Sequence, residues 1–109
     1  MKAIMLIENE EKKEIIFENI EDKSFFSTVK DGENYTIDLS NHLYITMESK
    51  SHKTIVKIEK EKDCFIEVID DNGSILVPIN VLAFNENNDM ISLVYKIENM
   101  VNSIKIEFK

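Results

Sequence analysis

Residues 26–47, "FSTVKDGENYTIDLSNHLYITM", decide the fold, because apolar and polar side chains alternate in them around two turn signals. Alternation with a period of two is typical of β-strands that have one buried and one exposed face. The apolar side of these strands holds Phe26, Tyr35, Ile37, Leu39, Leu43, Ile45 and Met47. The stretch therefore predicts three consecutive antiparallel strands.

The turns determine which residues face each other, since opposite residues of an antiparallel pair lie on the same face of the sheet. Asp31-Gly32 is a strong two-residue hairpin signal, and it pairs Phe26 with Ile37. A three-residue loop at 40–42, with its second or third residue in the left-handed conformation, then pairs Ile37 with Ile45. Both registers place apolar residues opposite apolar residues.

The same alternation predicts further strands at residues 91–97, at 104–108 and near 55–59, the last followed by a charged turn. In the C-terminal pair, Ile97 opposite Ile104 keeps apolar residues matched and leaves residues 98–103 as the loop. Residues 9–21 form either a hairpin, which we favour, or a short helix that begins at Asn9. Residues 79–89 are also compatible with a helical turn.

These elements predict an all-β fold, a small antiparallel β-sandwich or β-barrel of about eight to ten strands with short hairpin links and room for one short helix. That many strands exceed one flat sheet at this length. A chain of 109 residues fits one domain, residues 1–109, and can bury a core without disulfides or metal ions.

"DDNG", residues 70–73, lies between two apolar runs and raises two alternatives, a calcium loop or a turn. With Gly73 at the glycine position of an EF-hand loop, the first and last calcium ligands fall on apolar residues, so the match fails. As a type I′ turn, Asn72-Gly73 pairs Val68 with Val77 and joins two core strands. Pro78 then opposes Glu67 at a hydrogen-bonded position, which predicts a break in the ladder, a bulge or an edge strand.

The chain contains no local motif of a catalytic or cofactor-binding site. His42, His52 and Cys64 are the soft metal ligands, and their spacing matches no zinc pattern. The two glycines, Gly32 and Gly73, are both assigned to turns, which leaves no glycine-rich loop to hold a phosphate. We therefore expect no enzyme activity, no metal ion and no cofactor.

The charge narrows the class of partner. The formal net charge is -8, all 13 basic residues are lysine, and arginine does not occur. Direct binding to nucleic acid or to an anionic membrane is disfavoured, whereas a protein with a basic surface is a suitable partner. A single cysteine, with neither a signal peptide nor a membrane span, indicates the reducing cytoplasm.

Tyr44 is the most informative candidate for a binding residue, because it lies on the polar side of its strand, opposite Asp38 in the predicted register. An outward tyrosine among acids resembles the anchor and polar rim of protein interfaces. The predicted partner-binding residues are Asp38, His42, Tyr44, Glu48, Asp70, Asp71, Glu86 and Asp89.

The function that we expect first is that of a non-catalytic protein-binding module, an acidic β-domain that occupies a basic surface on another protein. An inhibitor of a nucleic-acid-processing enzyme and an immunity protein are examples of this kind. The alternatives are a structural β-domain that self-associates as a homo-oligomer or joins a larger particle, and a β-barrel that binds a small ligand. Salt-sensitive binding, oligomeric state and ligand-dependent melting distinguish the three.

Overall fold

The computed structural model of the protein describes residues 1–40, 42–59 and 64–109. The regular elements in these residues are all β-strands: β1 (Ala3–Glu8), β2 (Lys12–Phe17), β3 (Phe25–Lys30), β4 (Glu33–Asp38), β5 (Leu43–Glu48), β6 (His52–Ile58), β7 (Phe65–Asp70), β8 (Gly73–Pro78), β9 (Asn80–Glu86), β10 (Met90–Ile97) and β11 (Met100–Phe108). The predicted all-β fold of antiparallel strands with short links is confirmed, with eleven strands among the described residues. No described residue belongs to a helix, so none forms one long and apolar enough to cross a membrane.

The strands are divided between two compact units. Unit 1, Met1–Glu21 with Ile79–Lys109, contains a five-stranded sheet, sheet 1, in the order β2-β1-β11-β10-β9. Unit 2, Asp22–Pro78, contains a six-stranded sheet, sheet 2, in the order β3-β4-β5-β6-β7-β8. The strands of sheet 2 pair in chain order, whereas in sheet 1 the first strand of the chain, β1, pairs with the last, β11. That residues 1–109 act as a single domain stays a prediction.

Each sheet has one buried and one exposed face, as the period-two pattern requires. The buried side chains of sheet 1 are Ala3, Met5, Ile15, Phe17, Ile91, Leu93, Tyr95, Asn102, Ile104 and Ile106. Those of sheet 2 are Phe26, Tyr35, Ile37, Leu43, Ile45, Val56, Ile58 and Ile66. Since a fully buried side chain of this size contributes roughly 1.5–3 kcal/mol, these two faces supply the main stabilising term.

The first predicted hairpin is confirmed. Phe26 pairs with Ile37, and Asp31 and Gly32 adopt φ values of 52° and 80° in the turn between β3 and β4. The next pairing, Ile37 with Ile45, is also confirmed. Asn41, one of the two residues predicted to be left-handed, lies outside the described residues.

The ambiguous segments are strands. Residues 9–21 contain β2 and the loop that joins it to β1 in a hairpin, as favoured, and the Asn9 side chain accepts a hydrogen bond from the Glu11 N–H (2.9 Å) within that loop. The segment at 79–89 contributes β9 in place of a helical turn. The predicted strand near residues 55–59 is β6, and the predicted charged turn after it covers residues 60–63, which lie outside the described residues.

The predicted pairing of the two C-terminal strands is wrong by four residues. Ile97 pairs with Met100, and the loop is reduced to Glu98 and Asn99. The predicted register required an apolar partner for Tyr95, but its partner is Asn102, a buried polar residue whose Nδ2 donates to the Met100 carbonyl (3.3 Å). Because the side-chain amide of Asn102 is hydrogen-bonded, this polar residue is tolerated at a buried position. The register with the two-residue loop can therefore form.

The predicted β7–β8 register is wrong by two residues. The turn is centred on Asp71 and Asn72, and Gly73 begins β8 with a φ of 128°. Counting the alternation from the closing pair, Asp70 with Gly73, places Pro78 opposite Phe65 at a position without ladder hydrogen bonds. Pro78 also lies on an edge strand, one of the three predicted alternatives. The prediction of a core strand is wrong for β8, because five of its six residues are exposed.

Candidate functional site

The exposed face of sheet 2 carries a line of side chains that crosses all six strands. Successive pairings connect Phe25, Asp38, Tyr44, Lys57, Phe65 and Pro78. None of these six residues, which we call the cross-strand row, is buried. Aromatic side chains usually bury large areas, so three partly exposed rings in one row make this face a candidate functional site.

Tyr44 lies in the middle of the cross-strand row and is held by two neighbours. Its hydroxyl donates a hydrogen bond to Glu59 Oε1 (2.8 Å), and its ring centroid lies 3.5 Å from that of His42. The hydrogen bond to Glu59 is the main reason why the pKa of Tyr44 is raised above its ordinary value of 10.0. The ring is therefore oriented before any partner arrives, which reduces the entropy lost on binding.

Lys57 connects the rings on either side of it. Its Nζ lies 5.8 Å from the Tyr44 ring centroid and 5.6 Å from that of Phe65. The same Nζ forms an ion pair with Glu67 Oε1 at 2.9 Å. Each cation–π contact contributes about 0.5–1 kcal/mol at an exposed site, and the carboxylate of Glu67 offsets the charge of the lysine.

On β3, β4 and β5, the residues of the exposed face next to the cross-strand row are polar. Thr36 pairs with Thr46, and both line an open depression together with Ser27, Glu48 and Lys53. Lys53 Nζ lies 3.7 Å from Glu48 Oε2. An aromatic centre bordered by hydroxyls and paired charges has the composition of a protein-binding surface.

Three of the predicted partner-binding residues meet at this row. Asp38 pairs with Tyr44, as predicted, and His42 contacts the Tyr44 ring. Glu48 lies on the same face at the other end of β5. The two acids of the DDNG turn, Asp70 and Asp71, lie at that same end of sheet 2.

The remaining two predicted residues, Glu86 and Asp89, belong to unit 1, where they lie at and after the end of β9. The other acidic segment of this unit, residues 8–11, lies at the opposite end of sheet 1. Glu86 pairs with Ile91, which lies opposite Ile106, whereas Glu8 pairs with Ser103, near the other end of β11. The acidic segments of this unit therefore do not form one rim.

Four residues of the site were not identified from the sequence, namely Phe25, Lys57, Glu59 and Phe65. The register that paired Asp38 with Tyr44 contained the necessary signal. Asp38 also pairs with Phe25 on β3, and Tyr44 also pairs with Lys57 on β6. Lys57 in turn pairs with Phe65 on β7.

The candidate metal ligands each have another local role. His42 packs on Tyr44, His52 Nδ1 lies 3.0 Å from Ser49 Oγ, and Cys64 Sγ donates to the Glu59 carbonyl (3.8 Å). In the described parts of the chain, no group of three or more His, Cys, Asp or Glu side chains is arranged to hold a metal ion.

No protein-family model matches the chain, and no curated protein matches it. A similar solved structure is the crystal structure of the ywiB protein from Bacillus subtilis, which covers 99% of this chain and 89% of that chain. The sequence identity is 14% and the TM-score is 0.35. A likeness of this degree identifies neither a family nor a function for the chain.

Proposed function

We propose that this protein is a non-catalytic protein-binding module that uses the exposed face of sheet 2. The observation that carries the proposal is the cross-strand row, in which Phe25, Tyr44 and Phe65 are accessible on one face of a six-stranded sheet. Aromatic anchors of this kind supply most of the binding energy in protein interfaces. None of these rings belongs to the buried face of sheet 2.

The proposed partner is a protein with a basic surface. Asp38, Glu59 and Glu67 surround the two central rings, and the net charge of -8 attracts a basic protein over longer distances. Lys57 does not reverse this preference, because Glu67 is paired with it. An inhibitor of a nucleic-acid-processing enzyme or an immunity protein acts in this way, and the proposed compartment is the cytoplasm, where the Cys64 thiol stays reduced.

The test compares capture of partner proteins from the source cells by three immobilised chains. These are the natural sequence, the double variant Tyr44→Ser/Phe65→Ser, and the control Ile16→Ser, which removes a 41% exposed side chain from sheet 1. A basic protein captured by the natural sequence and the control, and reduced about tenfold or more by the double variant, is the expected result.

Two outcomes would contradict the proposal. Equal capture by the natural sequence and the double variant would exclude the cross-strand row as the binding surface. Capture that added salt does not weaken would exclude the charge-assisted partner, because screening reduces attraction between exposed charges. Circular dichroism and a melting curve on each chain establish that the substitutions leave the fold intact.

A further inference from the structure

The four edge strands of the two sheets differ in how they are protected from pairing with another strand. In sheet 1, β2 contains Lys12, Lys13 and Glu14, and β9 pairs with β10 through an irregularity between Val94 and Tyr95. Charges and bulges of this kind prevent strand addition. In sheet 2, β3 ends in Lys30, whereas β8, "GSILVP", contains no charged residue.

The side chains of β8 add to this difference. Ile75 is 67% exposed and Leu76 is 56% exposed, and as consecutive strand residues they point to opposite faces of the sheet. An edge strand with exposed aliphatic side chains on both faces is a typical site of strand addition.

The register identifies which backbone groups of β8 are available. Gly73, Ile75 and Val77 occupy the hydrogen-bonded positions opposite β7, so their N–H and C=O groups point inward. The corresponding groups of Ser74 and Leu76 point to the open edge. Pro78 has no N–H, which confines pairing by an added strand to the part of β8 before it.

We infer that β8 pairs with β8 of a second copy of this chain, antiparallel across a two-fold axis near Ile75 and Leu76. In that arrangement the N–H groups of Ser74 and Leu76 in each copy find carbonyl acceptors in the other, and Pro78 contributes no unmet donor. The aliphatic side chains of the two strands also become neighbours.

The charge pattern favours β8 over the other edge strands as the contact between two copies, and it favours the antiparallel orientation. Two chains of net charge -8 repel each other, and β8 is a segment at which they can approach without bringing charged strand residues together. Asp70 and Asp71 precede β8, so antiparallel pairing moves the acids of the two copies to opposite ends of the contact. One short strand pair is small beside the area of a stable dimer interface, so we expect reversible association.

The experiment measures mass against protein concentration by sedimentation equilibrium. The natural sequence is expected to rise toward twice the mass of one chain. Leu76→Pro removes an edge N–H that β7 does not use, and Leu76→Lys places a charge on the edge without changing the backbone. Each variant is expected to weaken association about tenfold or more, whereas Val29→Lys, at a 66% exposed position on the β3 edge, leaves it unchanged.

Amide hydrogen exchange gives a second, local readout. Protection of the Ser74 and Leu76 amides is expected to increase with protein concentration, in step with the mass. A chain that stays monomeric at the highest concentration overturns the inference. Association that survives both Leu76 variants, or that Val29→Lys abolishes equally, overturns it too. The variant Tyr44→Ser separates this contact from the cross-strand row, because it is expected to leave self-association unchanged.

Discussion

The two sheets bury similar faces but expose different ones. On the exposed side of sheet 1, aliphatic residues such as Ile4 and Leu6 are interspersed with lysines and glutamates, and Lys105 Nζ lies 2.8 Å from Glu107 Oε1. On the exposed side of sheet 2, three aromatic rings, an aspartate and a lysine share the cross-strand row. Alternation explains the buried faces of both sheets equally well but does not explain this difference, for which binding is the proposed reason.

The first prediction concerns the buried faces of the two sheets, which we expect to contribute equally to stability. Ile45→Ala in sheet 2 and Leu93→Ala in sheet 1 each remove a side chain with no solvent exposure, and each is expected to lower the free energy of unfolding by about 2–5 kcal/mol. Urea denaturation measures both, with Ile16→Ala as the exposed control. A loss below that range in one sheet alone would break the equivalence of the two cores.

The second prediction concerns the hairpins, where the sheets differ. In sheet 2, Gly32 and Gly73 adopt φ values of 80° and 128°, whereas in sheet 1 Glu98 has a φ of 53°. No atom lies within 4 Å of a Cβ added at either glycine, so alanine there adds backbone strain alone, about 1–2 kcal/mol of destabilisation.

Glu98→Gly is the matched change in sheet 1, and it is expected to raise stability by up to about 1 kcal/mol, because it relieves the same kind of strain. Thermal unfolding of the three single variants measures the loss of stability expected for alanine at Gly32 and at Gly73 and the gain expected for Glu98→Gly. Destabilisation by Glu98→Gly would mean that its side chain contributes more than the strain costs.

The sequence predicted best those pairings for which two independent signals agree. Asp31-Gly32 demands positive φ within the turn, and the alternation around it pairs Phe26 with Ile37. Turn chemistry and burial specify one register there, and the structure has that register.

The two registers that were wrong differ from the observed ones by even numbers of residues. A shift of two at β7–β8 or four at β10–β11 leaves every side chain on its original face, so alternation cannot detect it. At β7–β8 turn chemistry was the remaining guide, and it was misleading, since Gly73 uses its positive φ as the first residue of β8. At β10–β11 the expectation of an apolar partner for Tyr95 was misleading, since Asn102 is a polar residue on a buried face.

The candidate site was predicted in part for the same reason. Tyr44 and Asp38 follow from a correct register, while Lys57 and Phe65 require two further pairings that lack a turn signal among the described residues. The acids Glu86 and Asp89 were selected on charge alone, and charge does not specify position.

The third prediction concerns carboxylates whose pKa values are lowered for different reasons in the two sheets. Hydrogen bonds from the Ser40 hydroxyl and N–H lower the pKa of Asp38 below 3.8. A hydrogen bond and the charge of Lys105 lower that of Glu107 below 4.5. Each contributes stability at neutral pH that is lost as the pH falls through its folded-state pKa.

Salt separates the two causes. Screening is expected to raise the pKa of Glu107 toward 4.5 and to change that of Asp38 less, because its largest causes are hydrogen bonds from the neutral Ser40 and the charge of His42 is its smallest cause. Carboxyl carbon NMR titrations at low and high salt measure both groups. Ser40→Ala serves as the control, since it is expected to raise the pKa of Asp38 alone. Equal salt dependence of the two groups would contradict the assignment.

The fourth prediction uses one tyrosine from each sheet. The pKa values of Tyr44 and Tyr95 are both raised above 10.0, the first mainly by its hydrogen bond to Glu59 and the second by burial. Glu59→Gln is therefore expected to lower the pKa of Tyr44 toward 10.0 and to leave that of Tyr95 unchanged. The control Glu67→Gln changes another acid on the same face and is expected to move neither tyrosine.

Ultraviolet absorbance of tyrosinate against pH measures these shifts, and Tyr44→Phe identifies which part of the curve belongs to Tyr44. Because a raised pKa means that the folded state holds the proton more tightly, the associated stability is present below pH 10.0 and lost as the pH rises through the folded-state value. If Glu59→Gln left the titration of Tyr44 unchanged, the hydrogen bond would not be what orients the ring. The preorganised anchor on which the comparison of the two exposed faces depends would then lose its basis.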